Sequence, residues 1–278
     1  MLQEGRRLLE EVSAAMNRPA VGIGYRREMA EWDLAALPAD FHEVVPENWL
    51  RRDRAPLHAL RALGRPVWLH GVTLNLGGTA PLNAGLLREV AALMDEIGAT
   101  WYSDHLAASG DAHQLHDLFP LPHTSAELIR VADRIRQAQD ILGRRMAIEN
   151  PTWYANIGDI PEPDFLAGVA DRADCAVLLD LNNIEVNRKN HGSPPLADFL
   201  ARLTPDRIAY LHVAGHEWDE RFGLHVDTHA RSASDEVRAQ ARALSAAHGW
   251  PVLLEWDHDL PGPEALAEEL ACLRSSTT

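Results

Sequence analysis

Cysteine is almost missing from this chain: only Cys175 and Cys272 occur in 278 residues. Two thiols exclude a disulfide framework and any thiolate-rich zinc or iron–sulfur site. Lysine is scarcer still. Lys189 is the one lysine among 26 basic residues, so P-loop chemistry is excluded and a Schiff base has a single candidate. The arginine bias itself reads as genome composition. No apolar run reaches the length of a membrane span, and no linker, internal repeat or low-complexity stretch divides the chain. Residues 1–20, with Arg6, Arg7 and several Glu, lack the apolar centre of a signal peptide and read as an amphipathic helical extension; 275–278 read as a frayed tail. The expectation is one cytoplasmic domain with no membrane partner.

Positive charge is short as well. Lys plus Arg number 26 against 41 Asp plus Glu, a formal net charge of −15. Such a chain repels phosphates, so no nucleic-acid partner is expected. It suits a protein that neutralises bound cations.

What is present is a regular alternation. Strand candidates lie at 22–25, 41–45, 66–72, 100–106, 146–150, 176–182, 208–214 and 251–256. Between them run segments with a period near 3.6, clearest at Ala84–Ile97, Ser125–Leu142, 163–173, 234–248 and 263–273. Thr124 and Ser234 sit at helix starts with acids in the first turn, and Gly98 and Gly143 sit where helices end. Continuous apolar runs such as Val177-Leu178-Leu179 suit parallel strands covered on both faces. Eight strands with intervening helices predict an α/β fold, a single (β/α)8 TIM barrel. Gly22-Ile23-Gly24 is too short a fragment to argue for an open dinucleotide-binding sheet.

The informative residues are those that close the strands. His70, His105, Glu149, Asp180, His212 and Glu255 end six successive strands. In a parallel barrel these ends converge on the active-site rim. Ionised carboxylates gathered there repel one another and lose hydration, so they must be protonated, paired or bound to metal. Asp227-Thr228-His229 adds two donors from a loop, and Asn183, three past Asp180, can turn a carbonyl oxygen back. Oxygen and imidazole donors without thiolate favour zinc, manganese or iron. Any one of these histidines alone reads as a hydrogen-bonded structural residue. The repetition over six strands carries the metal reading. Nine candidate ligands suit two or three ions, about three donors each, with Glu149 or Glu255 as a bridge. His42, His58, His113, His116, His123, His191 and His248 break the pattern and are expected at the surface or behind the ligands. His216 and His225 share the loop of the Asp227 and His229 pair; both are expected solvated, with contact to substrate the alternative, and His216 is also a candidate to support the ligands.

Several short motifs lie in order along nearly the whole chain. They are Phe41-His42-Glu43-Val44 running into Pro46-Glu47-Asn48-Trp49, Leu69-His70-Gly71-Val72, Ser103-Asp104-His105-Leu106 and Glu149-Asn150-Pro151. They continue with Leu179-Asp180-Leu181-Asn182-Asn183, Leu211-His212-Val213-Ala214-Gly215-His216, Asp227-Thr228-His229 and Glu255-Trp256-Asp257. Together they resemble the multinuclear non-haem iron-dependent oxidative enzymes, the family that includes the methanobactin biosynthesis oxidase. The resemblance implies two or three irons in mixed Fe(II)/Fe(III) valence, dioxygen as co-substrate, and cysteines of a ribosomally made precursor peptide as substrate. It implies products such as oxazolone–thioamide groups or excision of a cysteine β-carbon, and a small partner protein that presents the leader peptide. Residue by residue, it implies His70, His105, Glu149, Asp180, His212 and Glu255 as ligands of two irons and Asn183, Asp227 and His229 as the set for a third. Asp104, where the family commonly shows glutamate, and Asn150 are expected to support these ligands. Arg26 and Arg27 either hold a substrate carboxylate or pair with Glu28 or Glu31. The ring also resembles the wider xylose-isomerase-like superfamily, including the trinuclear zinc endonuclease IV. There the residue three past the strand-six aspartate is histidine rather than asparagine. A zinc- or manganese-dependent hydrolase or isomerase is therefore the alternative enzyme, and a metal-binding scaffold the alternative without catalysis.

Overall fold

The computed structural model describes residues 20–111, 118–155 and 157–274. Eight parallel strands close a barrel: β1 (Val21–Gly24), β2 (His42–Val44), β3 (Val67–Gly71), β4 (Tyr102–His105), β5 (Ala147–Glu149), β6 (Ala176–Asp180), β7 (Ile208–Val213) and β10 (Val252–Leu254), which pairs back onto β1. The two short strands β8 (Glu217–Asp219) and β9 (Leu224–Val226) form an antiparallel hairpin in the connection that follows β7. Eight α-helices lie among the described residues: α1 (Ala55–Ala62), α2 (Ala84–Ile97), α3 (Ser125–Leu142), α4 (Glu162–Ala173), α5 (Leu181–His191), α6 (Leu196–Arg202), α7 (Asp235–His248) and α8 (Pro263–Arg274). The TIM barrel expected from the alternation is the fold observed. The helical extension expected over 1–20 falls, apart from Ala20, outside the described residues, as do 275–278, His113 and His116.

Helix ends follow local chemistry. Thr124 accepts a hydrogen bond from the Glu127 N–H and Ser234 from Val237 N–H. Gly98 and Gly143 take left-handed φ of 67° and 68° at the C-terminal ends, a conformation a Cβ would penalise. Of the sixth candidate range, 176–182, the strand keeps only the part up to Asp180, the residue expected to close it, because the Asp180 carboxylate accepts from Asn183 N–H and starts α5 at once.

Strand periodicity sorts the side chains into two layers. Val21, Ile23, Val44, Leu69, Tyr102, Ile148, Val177, Leu179, Leu211, Val213 and Leu254 face the helices as part of one large core. Phe41, Trp68, Ala147, Leu178, Tyr210 and Leu253 form a second, separate cluster within the barrel. Its centre is an aromatic stack, Phe41 on Trp68 at 4.1 Å and Trp68 on Tyr210 at 4.8 Å between ring centroids. Two residues further along each strand stand Glu43, His70, Glu149, Asp180, His212 and Glu255. The apolar plug is the floor of the polar ring, and the inward direction of each polar residue is fixed by the residue two before it.

Candidate metal centre

Register places the ring in one layer: His105 pairs with Glu149 across β4 and β5, and Asp180 with His212 across β6 and β7. Three groups of ligand-type atoms result, the atoms of each lying within 4.8 Å of one another. The first is His70, His105 and Glu149; the second Glu149, Asp180, His212 and Glu255; the third His229, Glu255 and Asp257. Glu149 and Glu255 belong to two groups each, so the groups form a chain joined by shared carboxylates. Glu149 Oε2 lies 3.1 Å from His70 Nε2 and 3.2 Å from His105 Nε2, while its Oε1 lies 3.4 Å from His212 Nδ1. His212 Nδ1 is 3.1 Å from Glu255 Oε2 and 4.0 Å from Asp180 Oδ2.

These groups fit metal ions. Glu149 Oε2, Asp180 Oδ2, His212 Nδ1 and His229 Nε2 are buried atoms without a hydrogen-bond partner. Buried polar atoms are rarely left so, and four in one place call for an ion. Ligand atoms each about 2.1 Å from a common ion lie within about 4 Å of one another, close to the spacing here.

The other imidazole nitrogens are committed, which aims the rings. The Gly71 carbonyl accepts from His105 Nδ1 at 3.2 Å, leaving the Nε2 lone pair directed at Glu149. Beneath the ring runs a string of buried hydrogen bonds. His70 Nδ1 lies 2.8 Å from Ser103 Oγ, Ser103 Oγ 2.8 Å from Tyr210 Oη, and Tyr210 O–H donates to Glu43 Oε2 at 2.6 Å. Glu43 Oε2 also accepts from His212 Nε2 at 3.3 Å, and its Oε1 lies 3.2 Å from the same nitrogen. A carboxylate only accepts, so the protons of the string all point toward Glu43. His70 then offers Nε2 and His212 offers Nδ1. Glu43 went unassigned in the sequence, although an acid inside an apolar strand was its signal.

The remaining expected residues fall as follows. Asn150 exchanges two hydrogen bonds with the Asp180 backbone and its carbonyl accepts from Asn183 Nδ2. Asn183 Oδ1 accepts from Thr152 O–H at 2.6 Å. Asp227 Oδ1 is 2.8 Å from His229 Nε2 and accepts from Asn182 Nδ2. His216 Nδ1 lies 2.7 Å from Asn182 Oδ1 and its Nε2 2.9 Å from Lys189 Nζ, so it braces the Asp227 loop from behind. Asp104 accepts from the His105 backbone N–H and from Tyr102 O–H, not from a ligand ring. Gly215 is needed where the loop doubles back: a Cβ there would sit 2.0 Å from the Arg231 carbonyl, while the Gly215 carbonyl accepts from His229 N–H. Arg27 is exposed. Arg26 pairs with neither Glu28 nor Glu31 in the contacts seen; its Nη2 lies 2.6 Å from Asp257 Oδ1 and 3.3 Å from Glu255 Oε1. Asp257 was quoted only within a motif. Its signal was the E-x-D spacing, which puts both acids on one side of extended backbone. Among the other histidines, His58, His191 and His248 are exposed, but His42 and His123 are buried, and burial lowers each to about 4.

The electrostatics record the crowding. Burial raises the Glu149 pKa, but the imidazoles of His105, His70 and His212 outweigh it and hold this carboxyl well below the usual range. Burial also raises Asp180, and there the neighbouring Glu149 and Asp227 push the same way, so its carboxyl lies well above the usual range. An acid held this way keeps its proton until a cation replaces it.

Away from the ring, Glu162 accepts from Trp153 Nε1 at 3.0 Å, and burial raises it from 4.5 to about 7. Because the folded value is the higher one, Glu162 binds more protons folded than unfolded between these limits. Its contribution is present below about 4.5 and lost as pH rises through about 7. Neutral His42 and His123 pull stability the opposite way, so the readout is a difference. Glu162→Gln should gain roughly 3 kcal/mol on the wild type between pH 4.5 and 7.5, measured by urea unfolding; parallel curves would contradict the assignment.

A closed parallel barrel with imidazole and carboxylate clusters at the carboxyl ends of its strands is a TIM barrel with a candidate metal centre at its rim. Two solved structures show that fold. The 3-keto-D-glucoside 4-epimerase of E. coli in its apo form superposes with a TM-score of 0.61 at 15% identity, covering 92% of this chain and 99% of the other. A xylose isomerase-like TIM barrel protein of Mycobacterium smegmatis in complex with magnesium gives 0.53 at 15% identity, covering 93% and 97%.

Sequence similarity is narrower. Residues 20–278 match the family described as RiPP precursor modification enzyme MbnB/TglH/ChrH. A UPF0276 protein of Pseudomonas aeruginosa (strain UCBPP-PA14) is 40% identical over 260 residues, 91% of this chain and 90% of the relative. One of Nitrosospira multiformis is 38% identical over 257 residues, 90% of each. The chain belongs to the MbnB/TglH/ChrH family of enzymes that modify the precursors of ribosomally made peptides, as its motifs implied.

Proposed function

We propose that this chain is a multinuclear iron oxidase that uses dioxygen to modify cysteine residues of a ribosomally made precursor peptide. The observation that carries the reading is the chain of three ligand groups joined through Glu149 and Glu255. Shared carboxylates hold neighbouring ions at bridging distance, as redox chemistry divided between two ions requires. His70, His105, Glu149, Asp180, His212 and Glu255 would hold two ions, and Asn183, Asp227 and His229, with Asp257, a third. Iron so held would bind a cysteine thiolate and activate dioxygen. The protein's part is to aim lone pairs: Gly71, Ser103 and Glu43 fix the three imidazoles, and Asn150 and Thr152 fix the end of β6. The apolar floor beneath keeps bulk water out. Exposed Tyr154, Trp218 and Phe222 border the loop that carries Asp227, an apolar surface suited to a peptide or to a small protein presenting its leader.

Lys189 is bound to Glu185 at 2.6 Å and to His216, which leaves an isomerase reading without a free lysine base. The test is anaerobic purification with metal analysis and Mössbauer spectra, then oxygen uptake on adding a cysteine-containing precursor peptide from the same gene neighbourhood. Two or more irons per chain and peptide-dependent uptake are expected. Zinc or manganese alone, with no uptake, would overturn the oxidase reading.

A further inference from the structure

Seven of the eight barrel strands bring a polar side chain to the rim layer. The exception is β1, which brings Gly24. The space a side chain would fill there is taken by another group: a Cβ on Gly24 would sit 2.7 Å from Arg26 Nη1. The guanidinium folds back over β1 and lies against the third ligand group. Its Nε and Nη2 donate to Asp257 Oδ1 at 2.9 and 2.6 Å, and its Nη2 to Glu255 Oε1 at 3.3 Å. The side chain is only 12% exposed. No arginine or lysine touches the first group in the described contacts, and in the second Arg26 reaches only Glu255, the residue shared with the third; Glu149 Oε2 and Asp180 Oδ2 have no hydrogen-bond partner.

Resting on the metal-centre reading above, we infer that Arg26 is a built-in counter-cation of the third group, competing with the third metal ion for Glu255 and Asp257. The three positions are then unequal. Three of the four unpartnered atoms, on Glu149, Asp180 and His212, belong to the first two groups, whereas the third already has a permanent positive charge on two of its acids. An ion entering it meets both the occupied Asp257 oxygen and the repulsion of a guanidinium a few ångströms away. The third ion is held weakly and reversibly, and it binds better once Arg26 swings out, as when a carboxylate-bearing substrate draws the guanidinium away.

The experiment is a titration of metal-free protein with Mn(II) alone, counting ions by calorimetry and by metal analysis after gel filtration, for wild type, Arg26→Gln, Arg26→Lys and Gly24→Ala. Wild type should keep two ions and take a third only at high free metal. Arg26→Gln should tighten that third step at least about tenfold, since a full charge is removed at contact range. Arg26→Lys, which keeps the charge, should stay within about threefold of wild type. Gly24→Ala crowds the guanidinium without altering any ligand and should shift the third step in the same direction as Arg26→Gln, covering the case in which that variant folds poorly. A third step unchanged or weakened in both Arg26→Gln and Gly24→Ala overturns the inference. Absence of any bound ion in all four proteins would overturn the metal-centre reading itself, a different outcome from an unaltered third step.

Discussion

Glu149→Ala is expected to lose at least about half of the metal bound by the wild type while keeping its helical circular dichroism. Glu149 is the one side chain shared by the first two ligand groups. Its removal leaves the first with two imidazoles, below the three protein ligands a bound ion ordinarily needs, and the second without its junction to the first. No neighbour substitutes for it. Asp180 is committed through Oδ1 to the start of α5, and Glu255 already serves the third group. The fold should tolerate the loss. Glu149 closes β5 above an apolar floor, and without it His70 and His105 keep their Nδ1 partners Ser103 and the Gly71 carbonyl. The comparison that gives this result meaning is Asp227→Ala: Asp227 lies outside the three groups and meets the third only through His229 Nε2, so its loss should lower the metal content by a smaller share. Equal, near-complete metal loads in wild type and Glu149→Ala, measured by inductively coupled plasma analysis of anaerobic preparations, would rule out Glu149 as the joint of the centre.

Much of this arrangement was legible in the sequence because the barrel makes local signals converge. Apolar runs that stop at His70, Glu149, Asp180, His212 and Glu255 are local, and parallel closure alone turns these five stops, with His105, into one ring. Helices α2 and α3 were legible to the residue because one face is apolar and both ends are capped. Helix α5 was not. Its first seven residues, Leu181–Asn187, are all buried, four of them polar, so no 3.6-residue contrast exists to be read. Its polar residues are instead spent on the site: Asn182 on Asp227, Asn183 on Thr152, and Asn187 on the Trp153 backbone. The Arg26 pairing with Asp257 spans 231 residues of sequence, and nothing local marks which distant acid a long arginine will meet. His42 and His123 show the reverse limit. A histidine off the pattern is expected either at the surface or behind the ligands, and burial of these two follows because a neutral imidazole is apolar enough to be buried if its pKa falls.

Glu43 is the residue whose loss separates positioning from packing. It receives two donors, Tyr210 O–H and His212 Nε2–H. Glutamine in its place has one acceptor oxygen and an NH2 group, so one of the two donors must face another donor. If His212 turns its proton toward the metal side instead, it no longer offers Nδ1. Carboxylates that support ligand histidines are worth 10–100-fold in metal affinity, and a loss of about that size is expected for Glu43→Gln in competition titrations with a chromophoric chelator. Tyr210→Phe cuts the same string one bond earlier. It leaves the contact of Glu43 with His212 intact and strips only the Ser103 end, which supports His70. That variant should weaken the first ligand group and spare the second. General damage to the barrel floor would weaken both groups together in both variants, since Tyr210 stacks on Trp68 and any collapse there reaches every ligand above it. Two distinct affinity patterns, one per variant, are therefore the signature of a hydrogen-bond string that orients the imidazoles, and identical patterns would reduce Glu43 and Tyr210 to filling space.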